Sequence, residues 1–415
     1  MCENMLIRKR TIAYLAFVTL ILSAVIASTF ETVNYHVLYY LFFPVVSGVL
    51  LFFMVSVIPR ERNRISQLYN IFLIYLLANI LLTPSLPIFV TNSCLIPLCI
   101  LNSKISYKTW NVLLKLYGVF TLIAALSLIF QLGATPAWKS FMEKIYPAEQ
   151  LTYIFYRAEF EKYGSGLFYD PAILAGVLVF GLCAYIGTHK MSTIREYIIA
   201  IALLVLLFLT GKRGPFFSLI AAVALFAIIN LNKYVSKKVL RNLFLNILGI
   251  IALVSFACVF LEIKIDFSNF RISIMESNEV SALGDLNGRA LLWGNALKTF
   301  FKHPIIGIGW KNFATLAGNG NHAHNIYLQL LSETGIVGFI LFLIAAGTAL
   351  MKTIKLQKEI NIENNSSNYI RMALVYQFFF LIYGLSGNPL FDSLFFLPYI
   401  ISVGIVVTEI DYDRR

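Results

Sequence analysis

NVLLKLYGVFTLIAALSLIFQL, Asn111 to Leu132, decides the fold class. The run holds one charged residue, Lys115, and is long enough as a helix to cross a hydrocarbon core roughly 30 Å thick. Only helices or a closed barrel can span lipid, because every backbone polar group must find its partner internally, and a continuous apolar block of this length means a helix. Eleven further segments of this kind lie at about 11–30, 36–58, 66–83, 85–101, 168–187, 195–210, 215–231, 240–261, 326–350, 370–386 and 391–408. They are separated by Pro/Gly/Asn turns or charged loops. The segment at 85–101 is flanked or interrupted by Pro84, Pro87 and Pro97.

The composition agrees: 13% of residues are charged and 59% hydrophobic, whereas soluble domains carry about 25% charged residues. The expected architecture is an all-α integral membrane protein with about twelve transmembrane helices, a single polytopic domain over 1–415. Thr11–Phe30 lacks a small-residue cleavage site and is long enough to remain as an anchor. The five cysteines are scattered through or beside apolar blocks, in spacing that suits neither a zinc site nor a disulfide framework.

A formal charge of +12 raises the question of nucleic acid, but its distribution reads as topology. Arg8, Lys9 and Arg10 precede the first apolar block and set the N-terminus inside. Alternation then puts inside Pro59–Arg64, the Lys104/Lys108 loop, Lys190/Arg195, Asn232–Arg241, the Lys352–Arg371 loop and the Arg414/Arg415 tail. Both termini are expected on the cytoplasmic side of the membrane. Two long loops fall outside, at 133–167 and 263–325, together with the short turn Gly211–Pro215. Their basic residues run against the positive-inside trend, and an anionic ligand is the natural explanation.

Lys212 and Arg213 sit between two apolar blocks with only Gly and Pro beside them. A charge next to a span is costly and usually functional, and the planar fork of Arg suits phosphate. The alternative is snorkelling toward lipid headgroups. Arg289 opens a stretch, Arg289–Phe301, that reads as a short amphipathic helix with Leu291, Leu292, Ala296 and Phe300 on one side. Such a helix on the membrane surface can hold the head of a lipid-linked substrate, or simply pack on the bundle. His303 precedes Pro304 and reads as a turn residue.

His322, His324 and Asn325 stand directly before the block at 326–350. With a pKa near 6.5, a His at that boundary can take a proton from a hydroxyl as general base; a structural His at a helix start is the other reading. His322 and His324 are two residues apart, share no helix face and have no carboxylate cluster of ligand type beside them, so no metal and no cofactor is expected. Gly335 and Gly338, inside the expected helix, suggest close packing against another helix.

These residues carry a resemblance. "HNIYLQLLSETGIVG" (His324–Gly338) fits H-N, nine residues, G-x-x-G, as in the bacterial O-antigen ligase/polymerase superfamily. "LTGKRGPFFSLI" (Leu209–Ile220) is similar to that superfamily's outer Arg turn. "NGRALLWGNALKTFFKHPIIGIGWKNF" (Asn287–Phe313) resembles its R…W…P-x-x-G-x-G element. "GLFYDPAILAGVLVF" (Gly166–Phe180) resembles the helix entry of many capsule and exopolysaccharide polymerases. The Arg-x10-Gly pattern of some O-antigen polymerases is absent at Arg157, Arg213 and Arg289.

The resemblance implies a metal-independent glycosyltransferase of the GT-C type, acting on the periplasmic or outer face. Its donor would be an oligosaccharide on undecaprenyl pyrophosphate, and its surroundings membrane lipid. Arg213 and Arg289 would bind the pyrophosphate, and His324 would deprotonate the attacking hydroxyl. Lys212, Arg157, Lys162, Asp170, Asn325 and His322 would contact donor or acceptor. A repeat-unit polymerase is the leading expectation, with a chain-length regulator as its partner. The ligase that hands O-antigen to lipid A core shares the donor. A flippase for the lipid-linked oligosaccharide is the third reading; it calls for ionisable residues near mid-membrane and two related halves.

Overall fold

The computed structural model describes residues 63–80, 94–189, 193–234, 289–359 and 366–413. The apolar segments expected at 11–30, 36–58 and 240–261, the first half of 85–101, and residues 263–288 of the long outer loop lie outside them. Among the described residues every element is a helix: α1 Arg64–Ile80, α2 Ile96–Asn102, α3 Tyr107–Gly133, α4 Thr135–Met142, α5 Ala148–Glu159, α6 Pro171–Thr188, α7 Ile194–Leu209, α8 Arg213–Tyr234, α9 Arg289–Lys302, α10 Phe313–Leu316, α11 Ile326–Glu359, α12 Ser366–Tyr383 and α13 Ser393–Asp413.

Four of these are long and apolar enough to cross a membrane: α3, α6, the Arg213–Asn230 part of α8, and α11. The chain is therefore a helical membrane protein. The described end of the segment at 85–101 supplies only the seven residues of α2, with Pro97 in its first turn. On α3, Leu113, Leu114, Tyr117 and Leu128 are buried while Val119, Leu122, Ile123, Leu126 and Ile129 are more than half exposed. An apolar face of that extent suits lipid as its solvent, since lipid demands only that the backbone be satisfied within the helix.

Local signals start these helices where they start. Ser106 caps α3 by accepting from the Thr109 N–H at 3.3 Å, and Thr193 with Glu196 forms a reciprocal capping box on α7. Asp170 caps α6 from the amide of Ala172 at 2.6 Å, with Pro171 behind it. α6 lies at the centre, packed on α3, α7 and α12, while α12 also packs on α8 and α13 and α11 packs on α1. Aromatic edges join these layers: Tyr117 and Tyr376 both meet the ring of Phe180, at 4.6 and 5.1 Å.

Polar contacts gather at the two ends of the bundle. At one end Asn70 pairs with Asn102, Trp110 donates to Thr408, Gln357 to Asn230, and Asn368 to the His189 carbonyl. The described loops that the charge pattern assigns to the cytoplasm all meet there. The turn Gly211–Lys212, the 133–170 connection, the 303–325 segment and the 384–392 turn meet at the other end.

The connection at 133–167 is folded rather than slack. α4 and α5 close around Trp138, Met142, Tyr146 and Ile154. Trp138 Nε1 donates to the Gly166 carbonyl at 2.7 Å, and Gln131 at the end of α3 accepts from the amides of Ser165 and Gly166. Three details differ from expectation. α9 is the expected helix, but it buries Ala296, with Leu292 partly covered, against Phe313 and Ala323, and Leu291 turns outward. Gly335 is not inside a regular helix: its φ of 64° and ψ of −169° break α11 after its first turns. Arg213 lies not in the turn but at the start of α8, the turn itself being the two residues Gly211 and Lys212.

Candidate functional site

The break in α11 builds the floor of the site. The strap Pro304–Gly309 crosses the broken turn, and the two segments exchange main-chain bonds: Ile308 N to Ser332 O (3.0 Å), Gly309 N to Glu333 O (2.9 Å) and Ile336 N to Pro304 O (2.8 Å). Asn79 from α1 donates to the Ile306 carbonyl at 2.9 Å and anchors the strap from the side. Gly307 (φ 69°) and Gly335 (φ 64°) supply the left-handed backbone at the crossing. The Gly-rich "HPIIGIG" and "TGIVG" motifs, nearly 30 residues apart, thus form one device. Gly338 packs as expected against a neighbouring helix: a Cβ there would stand 2.8 Å from the Tyr75 ring of α1.

Above this floor the chain runs from α10 to α11 through His322, Ala323 and His324. Asn325 caps α11, its Oδ1 accepting from the amides of Tyr327 (3.0 Å) and Leu328 (3.2 Å). Ile326 N donates to the Gly384 carbonyl at 2.8 Å, tying this corner to the turn after α12. His324 has φ 51°, a left-handed conformation uncommon for a residue with a side chain. Such strain persists only where surrounding contacts over-determine it.

His324 opens to the surface, yet part of its ring is covered. Burial lowers its pKa, the nearby cations of Arg289 and Lys212 lower it further, and Asp170 opposes them. Four groups from four separate stretches of sequence therefore act on one another here. Lys212 Nζ lies 3.5 Å from Asp170 Oδ1. Arg157 reaches Asp170 Oδ2 at 3.9 Å and Glu161 at 3.4 Å, and lies over the Tyr153 ring at 4.7 Å. Lys212 in turn lies 5.0 Å from the Tyr163 ring centroid. Burial lowers the pKa of Lys212 as well, while Asp170 pulls it back up. Asp170 thus serves twice, as the cap of α6 and as the counter-charge that holds Lys212 and Arg157 toward the same place.

His322 is the inner of the two histidines. Gln329 Nε2 donates to its Nδ1 at 2.9 Å, and burial, then Lys311 and His324, bring its pKa down to about 4. The amide of Gln329 is oriented without ambiguity. Its Oε1 accepts from the Ala323 N–H at 3.0 Å, and its Nε2 also donates to Glu333 Oε1 at 3.1 Å. With Nδ1 accepting, neutral His322 carries its proton on Nε2. Glu333, fully buried, accepts in addition from the amides of Lys311 (2.7 Å) and Phe313 (3.1 Å). Trp293 of α9 donates to the Ala323 carbonyl at 2.9 Å, so the helix that begins with Arg289 is pinned to the residue before His324.

Of the residues singled out in the sequence, Arg289, Lys212, Asp170 and His324 are brought within electrostatic reach of one another, and Arg157 joins through Asp170. His322 adjoins His324 on its buried side. Arg213 is exposed at the first turn of α8 beside this cluster. Lys162 is exposed in the turn after α5 with φ 58°. Asn325 spends its side chain on capping α11 and on the Leu385 carbonyl at 3.3 Å. Gln329 and Glu333 are the residues that reading the sequence missed. The available signal was Glu333, a lone acid in an otherwise apolar run, which a membrane segment rarely carries without purpose.

The comparison with protein families bears on this same region. Residues 198–343 match the family model described as O-antigen ligase. The match contains Lys212, Arg213, Arg289, His322, His324 and the Gly307/Gly335 crossing, and it agrees with the resemblance to the O-antigen ligase/polymerase superfamily that those motifs carry. No curated protein matches the chain.

Proposed function

We infer that this chain is a membrane glycosyltransferase whose donor is an oligosaccharide carried on undecaprenyl pyrophosphate, and that the transfer takes place at the bundle end that holds His324. The observation that carries the reading is His324 itself. It is held in a left-handed backbone at the mouth of α11 and kept neutral, able to accept a proton, first by burial and then by the cations Arg289 and Lys212.

The chemistry follows from that arrangement. The oxygen of an acceptor hydroxyl attacks the anomeric carbon as the bond from that carbon to the pyrophosphate oxygen breaks. His324 takes the hydroxyl proton as general base. Charge grows on the departing pyrophosphate, and Arg289, Arg213 and Lys212 stabilise it, the two guanidiniums by bidentate contacts. Arg213 lies at the N-terminus of a 22-residue helix, where the macrodipole repels a cation and attracts an anion. A single displacement inverts the anomeric centre. Pyrophosphate leaves readily, so no pair of carboxylates is required.

Within this class the acceptor separates two readings. The helix entry at Gly166–Phe180, with Asp170 turned toward Lys212, favours a repeat-unit polymerase that works beside a chain-length regulator. The second reading is a ligase that delivers glycan to a lipid A core; the family match at 198–343 is compatible with either. A gel of surface polysaccharide from a deletion strain, complemented with wild type or His324→Ala, decides. Anchor-bound glycan of one repeat unit identifies a polymerase; a bare anchor with accumulating lipid-linked polymer identifies a ligase. An unchanged ladder from the empty deletion overturns both, and an unchanged ladder from His324→Ala alone removes the general-base role. The setting is the bacterial inner membrane, with both termini cytoplasmic and the site on the outer face.

A further inference from the structure

Three side chains behind His324 form one chain of bonds: Glu333, Gln329 and His322. Glu333 is fully buried and its carboxylate accepts from Lys311 N, Phe313 N and Gln329 Nε2. Gln329, equally buried, spends its remaining hydrogen on His322 Nδ1 and its oxygen on the Ala323 amide. One primary amide therefore grips both residues that precede His324. Those are the residues through which the chain must turn to give His324 its φ of 51°.

We propose that Gln329 is a positioning residue for His324, and that Glu333 holds Gln329 in its working orientation; the inference rests on the general-base role given to His324 above. Three facts support it. The amide is held one way round, because turning it over would set its NH2 against the Ala323 N–H, donor against donor. The strained conformation of His324 needs contacts on both sides: Asn325, Ile326 and the Gly384 carbonyl supply the following side, and on the preceding side Gln329 holds the His322 ring and the Ala323 amide while Trp293 holds the Ala323 carbonyl. Glu333 also fixes the 311–313 turn from which the strap emerges, so a single carboxylate references the floor and the histidine segment to each other. A fully buried carboxylate with three donors is also a costly group to keep in a membrane helix unless its geometry is used.

The test uses the full-length protein in lipid, with a polyprenyl-pyrophosphate-linked oligosaccharide as donor and a lipid-linked repeat unit as acceptor. Gln329→Leu lowers kcat by about 100-fold, the scale expected when a reacting group is displaced by about 1 Å, while KM for the donor stays within about threefold. Because the effect runs through His324, Gln329→Leu adds no further loss to the residual rate of His324→Ala. Glu333→Gln keeps the volume, sets an NH2 against one of three donors, and carries the same pattern if the leucine variant does not fold. Activity of Gln329→Leu and Glu333→Gln within about threefold of wild type overturns the inference. So does an equal further loss on the His324→Ala background, which would mean general damage to the fold. An inactive His324→Ala beside a fully active Gln329→Leu removes this inference alone; a fully active His324→Ala removes the general-base reading beneath it.

Discussion

Gly307 and Gly335 lie backbone against backbone. Each has positive φ, and a Cβ on either would overlap main-chain atoms of the other segment: Glu333 and Thr334 for Gly307, Ile305 and Ile306 for Gly335. This crossing sets the strap on the broken helix and so fixes where α9 and the His322–Asn325 segment stand.

Alanine at either glycine therefore forces the strap off the helix. Both substitutions impose a strained φ and a clash with backbone that has nowhere to go, a combination that costs about 3 kcal/mol or more. Gly307→Ala and Gly335→Ala are expected to lower the thermal unfolding midpoint in detergent clearly. Gly347→Ala on the same helix, where a Cβ meets nothing within 4 Å, is expected to leave it unchanged. Equal midpoints for all three would remove the crossing as a structural keystone.

The pH dependence of transfer has a definite sign. A general base works unprotonated, so activity falls as pH drops through the pKa of His324. Burial and the cations Arg289 and Lys212 lower that pKa, so the acid limb lies below the ordinary His value of about 6.5. His322, with its pKa at about 4, is neutral across that range and adds no charge. Lys212→Met removes a cation and moves the limb to higher pH. Asp170→Asn removes the one anion that opposes the cations and moves it to lower pH. A pH profile of kcat for the three proteins checks this; shifts in the same direction for both variants would contradict it.

Arg289 and Arg213 are expected to act on the leaving group rather than on the fold. Arg289→Ala and Arg213→Ala lower kcat by about 100-fold or more, the usual loss when a transition-state charge contact is removed. Both residues are partly or fully exposed, so their variants keep wild-type thermal stability. Arg289→Lys recovers only part of the rate, because an ammonium cannot make the bidentate contact. Measured transfer rates beside unfolding midpoints separate these effects. An Arg289→Ala enzyme with wild-type kcat would exclude the residue from the site.

Asn325 is expected to behave as a cap first. Asn325→Ala loses both bonds to the first turn of α11 and costs about 1 kcal/mol, whereas Asn325→Ser retains a capping oxygen and most of the stability. If Ser restores the unfolding midpoint but not the transfer rate, Asn325 also contacts substrate. If Ser restores both, its role is the cap.

Much of this was legible in the sequence because it is local. Apolar length marks a helix, and the clustering of basic residues in particular loops is visible directly in the chain. The Pro/Gly elements were visible as motifs for the same reason, and so were His324, Arg289 and the Lys212/Arg213 pair. The reading of Gly335 as a helix-packing glycine went astray because an apolar run carries no local mark of a break that another segment imposes. Helical spacing groups Leu291 with Leu292 and Ala296 but does not say which of them meets the 313–323 segment, and Leu291 is the one left exposed.

The sequence by itself determined that this is a helical membrane protein and that basic residues and a histidine collect in a few of its loops. Only the tertiary structure decided that Lys212 and Asp170 share the surroundings of His324 with Arg289, and that Gln329 and Glu333 grip the chain behind it. The reason is physical. Periodicity and capping act over a few residues, within one hydrogen-bonded turn. A contact between Asp170 and Lys212, or between the strap and α11, is settled by how whole helices pack and where a backbone can approach another closely enough. Its energy is shared among groups far apart in the chain, and no single stretch of sequence records it.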